Sequence, residues 1–450
     1  MTKSSPQHIF LIIADSLRFD SIHSQGINMP YVQSNSLNFT QARSSGCWTL
    51  PATASLFSGL VPHEHGATAQ TRAIRENIPT LAEKLKKAGY NTYQVTANVA
   101  TTNVFGLHRG FDHVYKIWEE VPTKSKIVSN ILLMLGKPRM RKRLLSKDYI
   151  SQKLGEDLNA SKIWMQNTYQ DVFNRVKEVL KENEAKNQKC FFFINVMESH
   201  FPYHIGPQFN TLHNGWGAFK EVYSLYHMVN QSFLKSEKEH ITPHYKETFK
   251  SRQRKSWNIL ANGINNFIQE QHENKNNLVV FGSDHGDNFG EQNWLYHFSN
   301  VTDAGNRVPL FWLSNNHEKP EIKNYPVSSR FIHQSILDAC NLPYEEATLF
   351  SETENNLPLL QSYWYNNSEK TLAKHKFNQF CFLHEGIKYV YRNDQWLSGK
   401  TADSNFIEPL FSPIGNNNNP IDEIIKDASR KKYLQEKFKA FQVFSSKIKM

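Results

Sequence analysis

Three short apolar segments of the chain are each followed immediately by polar residues. The segments are His8–Ala14, 190–196 and 278–281. Apolar runs of this length are typical of strands that are buried on both faces of a parallel sheet. The longer segments 78–88, 161–183 and 245–271 are rich in Lys, Glu, Gln and Leu, which predicts helices. Because strands and helices alternate, the pattern predicts an α/β fold with helices on both faces of the sheet.

Candidate chemistry lies at the ends of these strands. In an open α/β sheet, ligands bind beyond the carboxyl ends of the parallel strands. Asp15 follows the first apolar run, His200 follows the second, and Asp284 and His285 follow the third. Adjacent Asp and His residues can reach one metal ion, and such a mixed set of O and N ligands suits zinc or manganese better than calcium or magnesium. A polar surface turn would also fit the third position, but it would leave Asp15 unexplained.

A further candidate is a threonine at the start of a predicted helix. Pro51 is compatible with the first turn of a helix, and the apolar residues after it continue to Gly59, which is a helix terminator. Thr49 therefore lies at or beside the N-terminus of the helix, where unpaired N–H groups and the helix dipole stabilise an anion. An ordinary capping role for Thr49 is the alternative, and nearby Cys47 is interpreted as a buried structural thiol.

Charge and composition narrow the class of partner. The 450 residues include 52 Lys and Arg against 42 Asp and Glu, a net charge of +10 that favours anionic partners such as phosphate or sulfate esters. No motif for specific nucleic-acid recognition is present. The chain has no apolar run near the ~20 residues of a spanning helix and no secretory signal, so we expect a cytoplasmic protein.

Two regions outside the apolar pattern carry weaker predictions. Segment 123–147 is strongly basic and is either a solvated surface insertion or a peripheral contact with anionic lipid or polymer. Segment 381–391 predicts a β-hairpin that turns near Glu385 and Gly386. We therefore expect a catalytic α/β domain over residues 1–345 and a smaller α+β subdomain over 346–450. The sequence makes no prediction of oligomeric state.

Taken in order, the motifs resemble the sulfatase-like branch of the alkaline phosphatase superfamily. The resemblance is carried by IIADSLRFD at 12–20, TLPATASLFSGLVPHEHG at 49–66, ESHFPY at 198–203, SDHG at 283–286 and LYH at 295–297. It implies an alkaline-phosphatase-like fold, with a mixed, mainly parallel sheet sandwiched by helices and a smaller C-terminal sheet. It also implies metal ligation by Asp15, Thr49, Asp284 and His285.

The same resemblance implies catalytic roles. Thr49 corresponds to the nucleophile, while His200 and His297 correspond to histidines that contact substrate oxygens or the leaving group. Asn98 corresponds to a residue that binds a non-bridging oxygen of the substrate. One divalent ion is implied, with zinc or manganese favoured over calcium or magnesium. The Asp-x-x-x-His pair of two-metal relatives is missing, although His200, His204 and His297 could hold a second ion.

The chain departs from sulfatases proper at the nucleophile. Those enzymes carry a Cys or Ser in a Cys/Ser-x-Pro-x-Arg motif that is converted to formylglycine. This chain has Thr49 at that position, Thr53 in place of the Arg, and Ser16 where a second acidic residue is usual. The pattern is closer to phosphodiesterases, phosphonate monoester hydrolases and phosphoethanolamine or phosphoglycerol transferases.

Three functions remain open at this point. The first is a metal-dependent hydrolase of phosphate, phosphonate or sulfate esters that acts through Thr49 and a covalent intermediate. The second is a soluble transferase that moves a phospho-alcohol to a polysaccharide or lipid. The third is a non-catalytic scaffold that has kept the fold.

Overall fold

An eight-stranded sheet forms the centre of the structure, with helices on both faces. The computed structural model describes residues 4–23, 26–68, 71–120, 167–203, 243–291, 295–297, 303–315, 319–344, 347–351, 359–363, 378–384, 387–392, 395–400, 423–424, 429 and 432. The strands are β1 (His8–Ala14), β2 (Leu37–Phe39), β3 (Ala42–Arg43), β4 (Tyr90–Thr96), β5 (His113–Lys116), β6 (Lys189–Val196), β7 (Leu278–Gly282), β8 (Asn288–Phe289), β9 (Leu295–Tyr296), β10 (Leu310–Leu313), β11 (Glu321–Lys323), β12 (Val327–Ser328), β13 (Leu359–Tyr363), β14 (Asn378–His384), β15 (Ile387–Arg392), β16 (Gln395–Lys400) and β17 (Glu423–Ile424).

Helices fill most of the connections between these strands. The α-helices are α1 (Phe19–His23), α2 (Pro30–Asn35), α3 (Thr49–Ser58), α4 (Pro62–His65), α5 (Leu81–Lys87), α6 (Ile117–Glu120), α7 (Tyr169–Glu184), α8 (Pro243–Glu273), α9 (Asp303–Asn306) and α10 (Ile332–Ala339). Short 3-10 helices span Val99–Thr101, Asn103–Phe105 and Ser329–Phe331.

The central sheet is mixed and mainly parallel, as the sequence predicts. Its strand order is β11-β2-β10-β7-β1-β6-β4-β5. Strand β1 lies between β6 and β7 and is parallel to both, while β10 runs antiparallel to β7 and β2. Strands β4 and β5 continue the parallel arrangement beyond β6. The fold class is therefore α/β, as the sequence predicts.

Two adjacent phenylalanines of β6 pack on opposite faces of the sheet and contribute to the contacts with the helices there. Phe192 stacks on Phe10 of β1 at 5.4 Å between ring centroids, and Phe267 of α8 meets Phe10 edge-on at 6.1 Å. The next residue, Phe193, points to the other face and meets Phe57 of α3 edge-on at 4.8 Å. Because successive side chains of a strand alternate between faces, these residues are buried on both sides of the sheet.

The three predicted strands coincide with β1, β6 and β7. The predicted helix 78–88 is shorter than expected, because Thr80 accepts a hydrogen bond from the Glu83 N–H and caps the helix at Leu81. The predicted helix 245–271 lies inside α8, and α7 begins at Tyr169, with 161–166 outside the described residues.

The C-terminal strands form a separate sheet. The order is β13-β14-β15-β16-β17, all antiparallel, and β14 and β15 form the predicted hairpin with His384 opposite Ile387. The predicted boundary near residue 345 stays a prediction. The basic segment 123–147 lies outside the described residues. In the described part of the chain, no helix combines the length and apolar character needed to cross a membrane.

Candidate active site

The predicted site residues converge over four neighbouring strands. Strands β7, β1, β6 and β4 are adjacent in the sheet and parallel. Asp15 follows β1, Asn98 follows β4, His200 follows β6, and Asp284 and His285 follow β7. The sheet order thus brings together residues that are up to 270 positions apart.

Asp15, Asp284 and His285 form a buried group with the composition of a metal site. One ligand atom from each of the three lies within 4.8 Å of the others. The Nε2 atom of His285 is 3.8 Å from Oδ1 of Asp15 and 3.5 Å from Oδ2 of Asp284. The hydroxyl of Thr49 lies 3.3 Å from the same Nε2. All four predicted metal ligands are therefore in one place.

The donor atoms of this group fit a cation. Nδ1 of His285 is 2.9 Å from the carbonyl of Gly286, which can only accept, so Nδ1 carries a proton and Nε2 is the ring atom that would bind an ion. Oδ1 of Asp284 accepts the N–H groups of Ser16 and His285 at 3.2 and 3.0 Å. Oδ2 of Asp284 is buried and has no hydrogen-bond partner. A buried carboxylate oxygen of this kind needs compensation, which a metal ion would supply.

The two carboxylates have opposite pKa shifts. Burial, with the charge of Asp15 added, raises the pKa of Asp284 well above its ordinary value. Burial also acts to raise the pKa of Asp15, but the charges of His200 and His285 and a hydrogen bond from Asn98 outweigh it and lower that pKa. Two close buried carboxylates cannot both ionise cheaply without a cation. A divalent ion would balance the two charges.

Thr49 is the first residue of α3, next to the predicted N-cap position. Trp48 is the N-cap, has an extended backbone, and makes no side-chain cap hydrogen bond. The loop before the helix packs tightly on its first turn: a Cβ atom at Gly46 would lie 2.5 Å from the Ala52 nitrogen. The Thr49 hydroxyl is therefore fixed at the positive end of a ten-residue helix, where an anion is stabilised.

The remaining predicted residues surround this group. The ring of His297 lies between those of His285 and His200, with centroids 4.5 and 5.3 Å away. Nδ1 of His200 donates to the Phe201 carbonyl at 2.7 Å. Asn98 donates through Nδ2 to Oδ2 of Asp15 at 2.5 Å, so in this structure it holds a candidate metal ligand.

Sequence reasoning missed Asp287, Tyr203 and Tyr296. Oδ1 of Asp287 is 2.5 Å from Nδ1 of His297, and Oδ2 accepts the Tyr203 hydroxyl at 2.8 Å. The Tyr296 hydroxyl lies 3.4 Å from Nε2 of His200. Asp287 follows the quoted SDHG motif directly and could have been found as a second acid there, whereas Tyr203 and Tyr296 lie within the quoted motifs ESHFPY and LYH but were given no role.

A second group of candidate ligands shares a residue with the first. His285, Asp287 and His297 also have ligand atoms within 4.8 Å of one another. Nδ1 of His285 is bonded to a carbonyl and Nε2 faces Asp15 and Asp284, so both groups cannot use His285 at the same time. His204, the other residue predicted for a second ion, lies outside the described residues.

Three residues of the candidate site have backbone conformations that are rare for residues other than glycine. Ser16, Tyr203 and Tyr296 have positive φ angles of 58°, 58° and 69°. For residues with a Cβ such conformations cost about 1 to 3 kcal/mol each and persist where the surroundings fix them. Ser16 follows Asp15 and Tyr296 precedes His297. The strained residues are therefore the ones that set the directions of the Asp15 and His297 side chains.

Comparisons with known proteins place these observations in a family. The family model described as Sulfatase matches residues 7–342. A comparison with curated protein sequences found no match. The phosphonate monoester hydrolase of Agrobacterium radiobacter has a similar structure, with a TM-score of 0.65, 14% sequence identity, and coverage of 98% of this chain and 96% of that chain.

Two further solved structures share the fold. The phosphonate monoester hydrolase of Silicibacter pomeroyi has a TM-score of 0.65 at 14% identity, covering 97% of this chain and 95% of its own. The protein BT4656, solved in complex with its substrate D-glucosamine-2-N,6-O-disulfate, has a TM-score of 0.58 at 14% identity, covering 99% of both chains. Since the sulfatase model extends over residues 7–342 of this sequence, the chain belongs to the sulfatase family.

Proposed function

We propose that the protein is a metal-dependent hydrolase of phosphate or phosphonate esters that uses Thr49 as its nucleophile. The observation that carries this proposal is the position of the Thr49 hydroxyl, at a helix N-terminus and 3.3 Å from Nε2 of His285, beside two buried carboxylates. An anionic ester group bound there would meet helix N–H groups and the nucleophile together.

Asp15, Thr49, Asp284 and His285 would hold one divalent ion. When bound, the ion supplies Lewis acidity and lowers the pKa of a coordinated hydroxyl. Asn98 and Asn195 donate to Oδ2 of Asp15 at 2.5 and 3.4 Å and orient that carboxylate. Zinc or manganese remains the favoured ion, because the donor set includes an imidazole.

The reaction proposed for these residues has two steps. Thr49, whose hydroxyl proton passes to solvent beforehand, attacks the phosphorus atom in line and forms a phosphothreonine while the bond from phosphorus to the leaving oxygen breaks. His297 donates a proton to the departing oxygen, and His200 contacts a substrate oxygen. Water then attacks the phosphothreonine and gives a proton to His297, and the bond from phosphorus to Thr49 breaks to release the product. The N-terminus of α3 stabilises charge on the non-bridging oxygens in both steps.

Phosphorus esters are favoured because Thr49 replaces the formylglycine precursor. Two of the structural relatives are phosphonate monoester hydrolases by name, while BT4656 was solved with a sulfated sugar as its substrate. Sulfate esters therefore stay in the test set. A transferase would use the same first step and differ in the acceptor, an alcohol in place of water.

The test is a set of initial rates on p-nitrophenyl phosphate, bis-p-nitrophenyl phosphate, p-nitrophenyl phenylphosphonate and p-nitrophenyl sulfate. Each substrate is measured with metal-stripped protein and after addition of manganese or zinc. We expect a metal-restored rate on one phosphorus ester. Thr49→Ala should reduce that rate by about 10³-fold or more, while a rate above about a tenth of wild type would contradict the assignment.

Thr53→Ala is the matched control, because it removes a buried threonine hydroxyl one turn further along α3. It should keep most of the wild-type rate. If only the sulfate ester reacts, the phosphorus preference is wrong. If metal binds and no ester reacts until an acceptor alcohol is added, the protein is a transferase. If no metal binds, the scaffold alternative is favoured.

A further inference from the structure

Asp287 has both carboxylate oxygens engaged by residues of the site. Oδ1 is 2.5 Å from Nδ1 of His297, and Oδ2 accepts the Tyr203 hydroxyl at 2.8 Å. All three side chains are buried, with exposed fractions of 4% or less. Short hydrogen bonds to a carboxylate are the stronger kind, and they fix direction as well as distance.

Tyr203 is itself held firmly. Its ring meets the rings of Phe201, Phe249 and Phe289 edge-on, at 5.8, 6.1 and 5.8 Å. Its N–H donates to the carbonyl of His200 at 2.8 Å, and its φ angle of 58° is unfavourable for a residue of this size. The surroundings therefore impose the position of the hydroxyl, which in turn fixes Asp287.

We propose that Asp287, fixed by Tyr203, is a positioning residue that keeps Nδ1 of His297 protonated and directs Nε2 toward the leaving oxygen of the substrate. This inference rests on the proposed function, in which His297 is the proton donor. Because Nδ1 faces Asp287, Nε2 is on the opposite edge of the ring, and that edge can donate a proton to a substrate. A carboxylate that fixes a histidine tautomer has the same role in catalytic triads.

The proton balance shows why a carboxylate is needed at position 287. The bond from phosphorus to the leaving oxygen breaks, and that oxygen takes the Nε2 proton of His297. His297 is then left with its Nδ1 proton, bonded to the Asp287 carboxylate. An asparagine could not replace the carboxylate in either orientation: its N–H would leave Nδ1 without a proton, and its oxygen would hold the ring by a weaker hydrogen bond than a carboxylate does.

The first test compares leaving groups. Rates of wild type and Asp287→Asn are measured on one series of phosphorus esters, from nitrophenyl, whose anion leaves readily, to phenyl and an alkyl ester, which need protonation. General acid catalysis contributes about 10²- to 10⁴-fold, so we expect a loss of kcat of about that size for phenyl and alkyl esters and little loss for nitrophenyl. KM should change little. A loss equal across the series would overturn the proposal.

Further variants separate positioning from general damage. Tyr203→Phe should show the same dependence on leaving group, with a smaller loss. Asp287→Asn in a His297→Gln background should lower the rate no further than His297→Gln alone, because the two changes remove the same function. Additive losses would argue against the proposal. Tyr31→Phe is a matched control that removes a different tyrosine–histidine hydrogen bond, 3.0 Å to His272, and should leave the leaving-group dependence unchanged.

A spectroscopic measurement separates this inference from the proposed function. A proton in a hydrogen bond as short as that of Asp287 and His297 gives a far-downfield NMR signal. The signal should be present in wild type and Thr49→Ala, and absent in Asp287→Asn and His297→Gln. If wild type hydrolyses none of the esters, the proposed function fails, and this signal still decides whether Asp287 holds His297. Its absence from wild type would refute the positioning role whatever the activity.

Discussion

Asp15 illustrates how neighbouring residues prepare a single side chain for metal binding. Its carboxylate accepts hydrogen bonds from the Ser16 hydroxyl at 3.1 Å, from Asn98 at 2.5 Å and from Asn195 at 3.4 Å. These donors come from the segments that follow β1 and β4 and from β6 itself. A carboxylate fixed in this way loses less entropy when it binds a cation, and partners of this kind commonly contribute to metal affinity.

The first prediction concerns Asn98. Asn98→Ala should weaken binding of manganese or zinc by about 10- to 100-fold, because it removes the shortest of the hydrogen bonds that orient Asp15. The affinity is measured by calorimetric titration of metal-stripped protein. Asn103→Ala, a change at an exposed position on the neighbouring 3-10 helix, should leave the affinity unchanged. Equal affinities in all three proteins would show that Asn98 does not orient a ligand.

The second prediction concerns Asp284 and the stability conferred by metal. A metal ion supplied at about 100 times its dissociation constant should add about 2.7 kcal/mol to the free energy of unfolding of wild type. Asp284→Asn should lose this increase, because the ligand oxygen that lacks a protein partner is removed. Thermal denaturation with and without metal measures both effects. A mutant that is stabilised as much as wild type would exclude Asp284 as a ligand.

At this scale the sequence predicted which residues come together in the candidate site, while the roles given to them stay predictions. Asp15, Thr49, Asp284, His285, His200 and His297 are all found where the strand ends meet. The predicted contact of Asn98 with a substrate oxygen stays a prediction, and in the structure its side chain donates to Asp15. Tyr203 could not have been predicted, since its role depends on a backbone turn that places its hydroxyl on Asp287, far along the chain.

At the scale of elements, helix α8 connects the loops that carry the site. Gln253 lies in α8 and is fully buried. Its Nε2 donates to the carbonyls of Ser16 and Ser199 at 2.8 and 3.0 Å, and its Oε1 accepts the Ser21 hydroxyl at 2.6 Å. One side chain therefore holds the loops after β1 and β6 at a fixed separation, and with them Asp15 and His200.

The third prediction follows from this connection. Gln253→Ala should lower the free energy of unfolding by about 1 to 3 kcal/mol, because it leaves buried polar groups without partners. It should also lower kcat, since the two loops are no longer fixed together. Chemical denaturation and ester hydrolysis are the measurements. Lys255→Ala, exposed on the same helix, is the control, and a Gln253 variant as stable as that control would contradict the prediction.

One strand that the sequence did not predict has polar residues inside the sheet. Strand β4, with the sequence YNTYQVT, lacks an apolar run, yet Thr92 and Gln94 are completely buried. The Thr92 hydroxyl donates to the Gly110 carbonyl at 2.8 Å and the Gln94 amide donates to the Thr101 carbonyl at 2.6 Å. A hydrophobicity pattern misses such strands, because their polar groups are satisfied only by tertiary partners.

For the whole molecule, buried histidines set the tolerance to acid. Burial lowers the pKa of His8 and His272 to about 4, and of His65 and His333 to about 3. His333 shows why: Nδ1 donates to the Phe57 carbonyl and Nε2 accepts from Lys84 at 3.0 Å, so the folded protein requires the neutral ring. The unfolded chain takes up these protons near the ordinary value of 6.5.

The fourth prediction is that the protein loses stability as the pH falls below 6.5. In the window from 6.5 down to about 4 the unfolded state binds more protons than the folded state, so stability is intact above 6.5 and falls on acidification. Each histidine contributes up to about 1.4 kcal/mol per pH unit, so the four together act on the scale of typical domain stabilities. Melting temperatures across this range should fall steeply.

A matched pair of variants tests the cause. His333→Gln should make the fall with pH shallower, although it also removes native hydrogen bonds and lowers the melting temperature at neutral pH. His113→Gln, at an exposed position on the edge strand β5, should reproduce the wild-type slope. Slopes that do not differ between the two variants would mean that His333 does not contribute.

The central position of β1 also has a consequence for the order of synthesis. Its two partners are β6, which begins at Lys189, and β7, which begins at Leu278. At about 5 to 20 residues per second, a ribosome needs on the order of 10 to 30 seconds after making HIFLIIA to supply the first partner. During that interval a strand with six apolar residues out of seven has neither neighbour, which makes the nascent chain a client for chaperones and the early strand a hazard for aggregation.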